Sequence, residues 1–232
     1  MPQLTTIDIR FHAYGTIPAL ETCQFSINEK DLIAIIGPNG GGKSTLIKII
    51  AGLFPPSVGT INHPKLRPLD IAYLAQRTEI DRTFPIRVED VIAMGLWPKT
   101  RGGRGLCAAD HQRIQEILAK VGLAGYEKRS ISQLSGGQLQ RMFFGRVMAQ
   151  DAKLILLDEP FTGIDQPTVS HLLNLIREWN ANGKTVVAVL HDIPIVRQVF
   201  PLTALVARSL IAYGPTSDVL NLETLTKATF DV

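Results

Sequence analysis

The sequence predicts an α/β fold in which a largely parallel sheet carries an antiparallel β edge and a helical segment inserted mid-chain. Three observations carry that reading. Asp31–Ile36, Lys153–Leu157 and Thr185–Leu190 are short, nearly all-apolar runs, as expected of strands buried on both faces. Strand and helix alternate at both ends of the chain, which is the pattern of parallel pairing through crossovers. The middle is more helical, with two apolar stripes at helical spacing.

The elements follow in order. Thr5–His12 alternates apolar and polar residues and predicts a half-buried antiparallel strand. Asp31–Ile36 runs into a glycine-rich turn and then Ser44–Ala51, a helix that ends at the Phe54–Gly59 break with its paired prolines. Within Asp110–Val121, Ile114, Ile117, Leu118 and Val121 fall at i, i+3, i+4 and i+7, one helical stripe. Leu139, Met142, Phe143 and Val147 predict a second. Pro167 opens a helix carrying Val169, Leu172, Leu173, Ile176 and Trp179 that stops near Gly183. Trp97–Gly105 reads as a basic, solvated surface loop, and the tail from Pro215–Asp218 as a helix packed on the core. No internal repeat is visible.

Composition bounds the function. The 232 residues are 45% hydrophobic and 19% charged, which excludes a disordered chain and allows a core without disulfide staples. No apolar run reaches the ~18–20 residues that span a bilayer, and the start lacks a basic-then-apolar leader. A cytosolic chain that meets a membrane only through a partner is therefore expected. The net charge of +3 is too small to point to nucleic acid. His12, His63, His111, His171 and His191 are scattered without metal-ligand spacing, and Cys23 and Cys107 read as indifferent thiols.

The chemistry sits in three motifs. Gly37, Pro38, Asn39, Gly40, Gly41, Gly42, Lys43, Ser44 and Thr45 satisfy G-x-x-x-x-G-K-[ST] between a buried strand and a helix. Glycines let backbone N–H groups turn inward around phosphate oxygens, Lys43 supplies a point charge, and the Ser44 hydroxyl suits a Mg²⁺ position. Leu154–Asp158 is a buried strand ending in two carboxylates that point different ways: Asp158 suits metal coordination, Glu159 activation of water. Leu134-Ser135-Gly136-Gly137-Gln138 again exposes N–H groups before a helix. Two anion sites in one chain suggest head-to-tail dimerisation, each loop completing the partner's pocket.

At these residues the chain resembles the nucleotide-binding subunits of ABC transporters, and the resemblance covers essentially its whole length. It implies a P-loop NTPase (RecA-like) core of the ABC ATPase type. Residues 1–232 would form one ABC ATPase domain, with 1–85 and 151–232 as the core and β subdomain and 86–150 as the helical subdomain. By the same resemblance Gln76 centres the glutamine loop, Leu134–Gln138 is the signature, Asp165 lies in the dimer-contact loop, and His191 is the switch histidine. Tyr14 fits the aromatic that stacks on adenine, with Phe11 and His12 close by. Two subunits would sandwich two Mg-ATP molecules. Each ATP would meet Lys43, Ser44, Gln76, Asp158, Glu159 and His191 of one copy and Ser135 and Gly137 of the other. Gly41, where the family more often has Ala, and Gly163-Ile164-Asp165, where Ala-Leu-Asp is commoner, are departures that remove no ligand.

The branch is read from the same comparison. Residues 77–133 are too few for the coiled coil of the chromosome-maintenance relatives, and one signature argues against two-cassette translation factors. An importer with separate integral membrane permease subunits is implied, served indirectly by an extracytoplasmic substrate-binding protein. The subunit would sit peripherally on the cytoplasmic side of the inner membrane, with no nucleic acid partner. The segment Gln76–Gly95 looks like the zinc/manganese and iron-chelate uptake ATPases, and the run Glu159–Asp165 looks like the zinc/manganese branch. Iron-siderophore or cobalamin uptake, an exporter with separate permeases, and a soluble non-transport ABC ATPase are the alternatives.

Overall fold

The computed structural model describes residues 2–76, 81, 84–97 and 105–221. A six-stranded sheet is its frame, ordered β10-β9-β4-β8-β7-β6. The strands are β4 (Leu32–Ile36), β6 (Ile71–Leu74), β7 (Leu154–Asp158), β8 (Thr185–Val189), β9 (Leu202–Ala207) and β10 (Ser209–Pro215). Neighbours from β6 to β9 pair in parallel, and only β10 is antiparallel. A second, antiparallel sheet joins β1 (Gln3–Tyr14) to β2 (Ile17–Leu20), β3 (Cys23–Asn28) and β5 (Val58–Asn62).

The apolar runs take the positions their composition demands. Every residue of β4, β7 and β8 is buried, because both faces of the parallel sheet are covered. Side chains alternate between two cores. Ile33, Ile35, Leu156, Val187 and Val189 face α1 (Lys43–Ile50) and the antiparallel sheet. Ala34, Ile36, Ile155, Leu157, Val186 and Ala188 face the helical side. That side is built from α2 (Val88–Met94), α3 (Ala108–Lys120), α4 (Gly136–Gln150), α5 (Gln166–Ala181) and α6 (Ile193–Val199). The short α7 (Thr216–Val219) packs Thr216 and Val219 inward, as expected for the tail. Most of the Trp97–Gly105 loop lies outside the described residues, as does much of the segment after Gln76.

One stripe needs correction. Phe143 packs against the core from α4 but is only half-buried, and Phe144, which the expected stripe leaves out, is completely buried beside Leu139, Met142 and Val147. The reason is that α4 is covered on more than one side. Gly145 meets Ile92 and Ile117 of α2 and α3, while the Phe144 ring stacks on Trp179 of α5 at 5.4 Å. A single-stripe reading suits a surface helix and misplaces a helix sandwiched between layers.

The topology brings the strand ends to one edge. Reading across the sheet, the loop after β4 is followed by His191 beyond β8, Asp158 and Glu159 at β7, and Gln76 beyond β6. Residues more than a hundred apart in sequence thus meet at the carboxyl ends of parallel strands, where open α/β sheets bind ligands.

Phe144→Ala should cost about 3–5 kcal/mol in chemical denaturation, and Phe143→Ala clearly less. Equal losses would show that α4 is packed otherwise.

Candidate active site

The phosphate loop is fixed by sterics. Gly37 (φ 147°) and Gly42 (φ 84°) hold backbone angles that side chains rarely adopt. A Cβ on Gly37 would lie 1.9 Å from the Val206 carbonyl oxygen, and one on Gly42 2.4 Å from that of Ala19. Gly41 has ordinary angles, yet a Cβ there would sit 3.0 Å from the Val206 oxygen and 3.1 Å from that of Pro38. In this chain the departure from Ala therefore relieves a tight contact.

Helix α1 begins at Lys43, so its free N–H groups and dipole face the loop. The buried Lys43 ammonium donates to the carbonyls of Gly37 (3.0 Å) and Pro38 (2.6 Å). Burial pulls its pKa down, opposed by the negative charges of Glu159 and Asp158.

Asp158 is 1% exposed and accepts a hydrogen bond from Ser44 Oγ at 2.9 Å. Tyr73 Oη donates to its other oxygen at 3.3 Å. Burial pushes the Asp158 carboxyl above its ordinary value even against these donors. Glu159 stands beside it with φ 46°, a left-handed angle unusual for a non-glycine residue, held by its side-chain partners. Its Oε2 accepts from Gln76 Nε2 (2.8 Å) and Thr162 Oγ1 (3.1 Å), and its Oε1 from His191 Nε2 (2.7 Å). A carboxylate only accepts, so His191 carries its proton on Nε2. Burial alone would raise Glu159, but His191, Thr162 and Lys43 together hold it below the usual glutamate value. It is a carboxylate at neutral pH, the form a general base needs.

These groups line one cleft of about 800 Å³: Asn39, Gly40, Gly42, Lys43, Ser44, Thr45, Gln76, Glu159 and His191, closed by Ile17–Ala19 of β2 and Thr162. Asp158 lies behind Ser44. Tyr14 is half exposed at the rim, its hydroxyl 3.5 Å from Thr45 Oγ1 and its ring edge-on to His12 and Phe54.

Ser135, Gly136, Gly137, Gln138 and Asp165 are not among the residues lining this cleft. They gather elsewhere. Ser135 and Gln138 cap α4 reciprocally, each side chain taking the other's backbone N–H (3.2 and 2.9 Å). Asp165 caps α5 through the Thr168 N–H at 3.1 Å, which holds its carboxyl below the usual range. A Cβ on Gly137 would come within 3.0 Å of the Asp165 carboxylate, so signature and dimer-contact loop abut in one chain. Sequence reasoning overlooked Tyr73 and Thr162. Tyr73 lies two strand positions from Ile71, in register with Leu156, and only the pairing of β6 with β7 reveals its reach.

The comparisons agree with this geometry. Residues 20–162 match the family model described as ABC transporter. The chain belongs to the ABC transporter family. It is 40% identical over 92% of its length to the manganese transport system ATP-binding protein MntB of Halalkalibacterium halodurans, covering 87% of that protein. It is 38% identical over 87% of its length to the zinc transport system ATP-binding protein TroB of Treponema pallidum, covering 77%. A solved ABC transporter in an inward-facing conformation superposes with a TM-score of 0.84 at 28% identity, over 99% of this chain and 89% of that one. The ATP-binding cassette MJ0796, solved as a dimer bound to ADP and Pi, gives 0.80 at 25% identity, over 92% and 99%. As an ABC ATP-binding domain the chain is a nucleotide-binding ATPase coupled to transport. Among the described residues no helix is long and apolar enough to cross a membrane.

The buried Asp158 gives a prediction. An acid whose folded pKa is raised destabilises the folded state at pH above that value, and the penalty fades as pH falls toward the unfolded value. Asp158→Asn should therefore raise the thermal midpoint of the nucleotide-free chain at pH 7–8 by about 2–4 °C, roughly 1 kcal/mol. It should flatten the rise in stability on mild acidification while abolishing ATPase activity. A lowered midpoint at pH 8 would mean that the carboxylate is stabilised in place.

Proposed function

We propose that this chain is the ATP-hydrolysing subunit of an importer for a divalent metal ion, manganese or zinc. It works as an ATP-closed homodimer on separate integral membrane permease subunits, at the cytoplasmic face of the membrane. An extracytoplasmic binding protein delivers the cargo. The observation that carries the dimer is the split site: the signature residues do not line the cleft at Lys43 and gather instead beside Asp165. A second copy supplies Ser135 and Gly137 to that cleft. Kinship with relatives named for manganese and zinc transport supports the cargo. Residues 86–150 act as the helical subdomain that carries the signature, and the exposed apolar side chains Phe84, Met94 and Trp97, on and beside α2 in sequence, suit a permease contact.

The donor set fits Mg²⁺ bound with ATP. Ser44, Asp158 and the amide oxygen of Gln76 are hard oxygen donors with a single buried carboxylate, the pattern of a cation held jointly by protein and phosphates. Mg²⁺ bound there would neutralise charge on the β- and γ-phosphates. Lys43 and the loop N–H groups bind phosphate oxygens, Tyr14 stacks on the adenine, and Glu159 accepts the proton of the attacking water. Gln76 and His191, both bonded to Glu159, orient that carboxylate, and His191 steadies the γ-phosphate.

Glu159→Gln should lower turnover by about 10²–10⁴-fold while retaining ATP binding and trapping a closed dimer. A variant that hydrolyses at the native rate removes Glu159 as the base. Captured from native cells in Mg-ATP and mild detergent, that variant should bring down a multi-span permease. Cells lacking the chain should lose manganese or zinc uptake. A repeated soluble partner without permease would support the non-transport alternative, and loss of siderophore uptake alone would move the cargo to iron chelates.

A further inference from the structure

We propose that Tyr73 is a positioning residue for Asp158, and that Arg146 holds Tyr73 in place from the helix that carries the signature. The inference rests on the reading of Asp158 as a Mg²⁺ residue and extends it to groups outside the recognised motifs. Asp158 receives one hydroxyl on each oxygen, Ser44 on Oδ1 and Tyr73 on Oδ2. With a donor on both sides the plane of the carboxylate is fixed, whereas Ser44 alone leaves it free to turn. Tyr73 reaches Asp158 because β6 and β7 are parallel neighbours with Tyr73 opposite Leu156. The target lies two residues further along, about 6.6 Å, a tyrosine's length.

β6 is the edge of the sheet, so alternate carbonyls on its outer side have no strand partner. Helix α4 covers that edge. Arg146 Nη2 donates to the Tyr73 carbonyl at 2.6 Å, and one turn later Gln150 Nε2 donates to that of Ile71 at 2.7 Å. The i, i+4 spacing of the helix matches the i, i+2 spacing of the strand, about 6 Å against 6.6 Å. A partly buried guanidinium needs such an acceptor to offset its desolvation. The same helix begins at Ser135, about 16 Å from Arg146 along its axis. One rigid element thus joins the half-site offered to a partner's nucleotide to the residue that orients this chain's own metal carboxylate.

The test uses the full chain with the non-hydrolysable analogue AMP-PNP and Mn²⁺ in place of Mg²⁺, read by electron paramagnetic resonance. Binding of fluorescent mant-ATP in EDTA is measured alongside. Tyr73→Phe keeps the ring and should weaken Mn²⁺ about three- to tenfold while leaving metal-free nucleotide affinity in place. Arg146→Lys should weaken Mn²⁺ in the same direction but less. Unchanged Mn²⁺ affinity in Tyr73→Phe overturns the proposal. So does an equal loss with and without metal, which would mark general damage to the cleft. A native chain that takes up no Mn²⁺ with nucleotide would overturn the Mg-ATP reading and this proposal with it.

Discussion

The 2.9 Å hydrogen bond from Ser44 to Asp158 joins the first turn of α1 to the end of β7, across 114 positions of sequence. Much else depends on it. It requires β4 and β7 to end at the same edge of the sheet, with β8 between them, which in turn requires parallel strands joined by crossover connections. It also places a carboxylate where water is scarce, so that the Ser44 and Tyr73 hydroxyls must satisfy it. The phosphate loop is wrapped around the other end of that same constraint, its glycines pressed against Val206 and Ala19.

Glu159 is the complement of Asp158. One residue further along, it leaves the strand in a left-handed conformation and turns into the cleft. Three donors from three separate elements meet on it: Gln76 after β6, Thr162 after β7 and His191 after β8. Each can report the position of its own segment to the base. The network therefore ties the Glu159 carboxylate to the ends of three neighbouring strands. Ser135–Gln138 does not line this cleft, and the capping box that rigidifies it leaves the Gly136 and Gly137 amides as its available donors.

Much of this was legible in the sequence, for physical reasons. Buried parallel strands must be nearly all apolar, so β4, β7 and β8 declared themselves. A phosphate cradle needs glycines, a lysine and a hydroxyl at fixed spacing, so Gly37–Thr45 did too. The inward face of α4 was misread because periodicity describes a helix with one buried side, and α4 has more than one. Tyr73 and Thr162 were overlooked because a half-buried tyrosine and an exposed threonine have no pattern of their own, and their value comes from what lies opposite.

The sequence by itself determined the chemistry available: a glycine-rich loop with a lysine and a hydroxyl, two adjacent carboxylates at a strand end, and a second glycine-rich turn. These are local properties of residue type and spacing. Only the tertiary structure decided which of them meet. Sheet order put Gln76, Glu159 and His191 within hydrogen-bond distance and set Tyr73 against Asp158. It also kept Ser135 and Gly137 out of the cleft they resemble so closely. Strand order and helix coverage are fixed by how apolar surfaces bury one another across the whole chain, and no local window of residues contains that information.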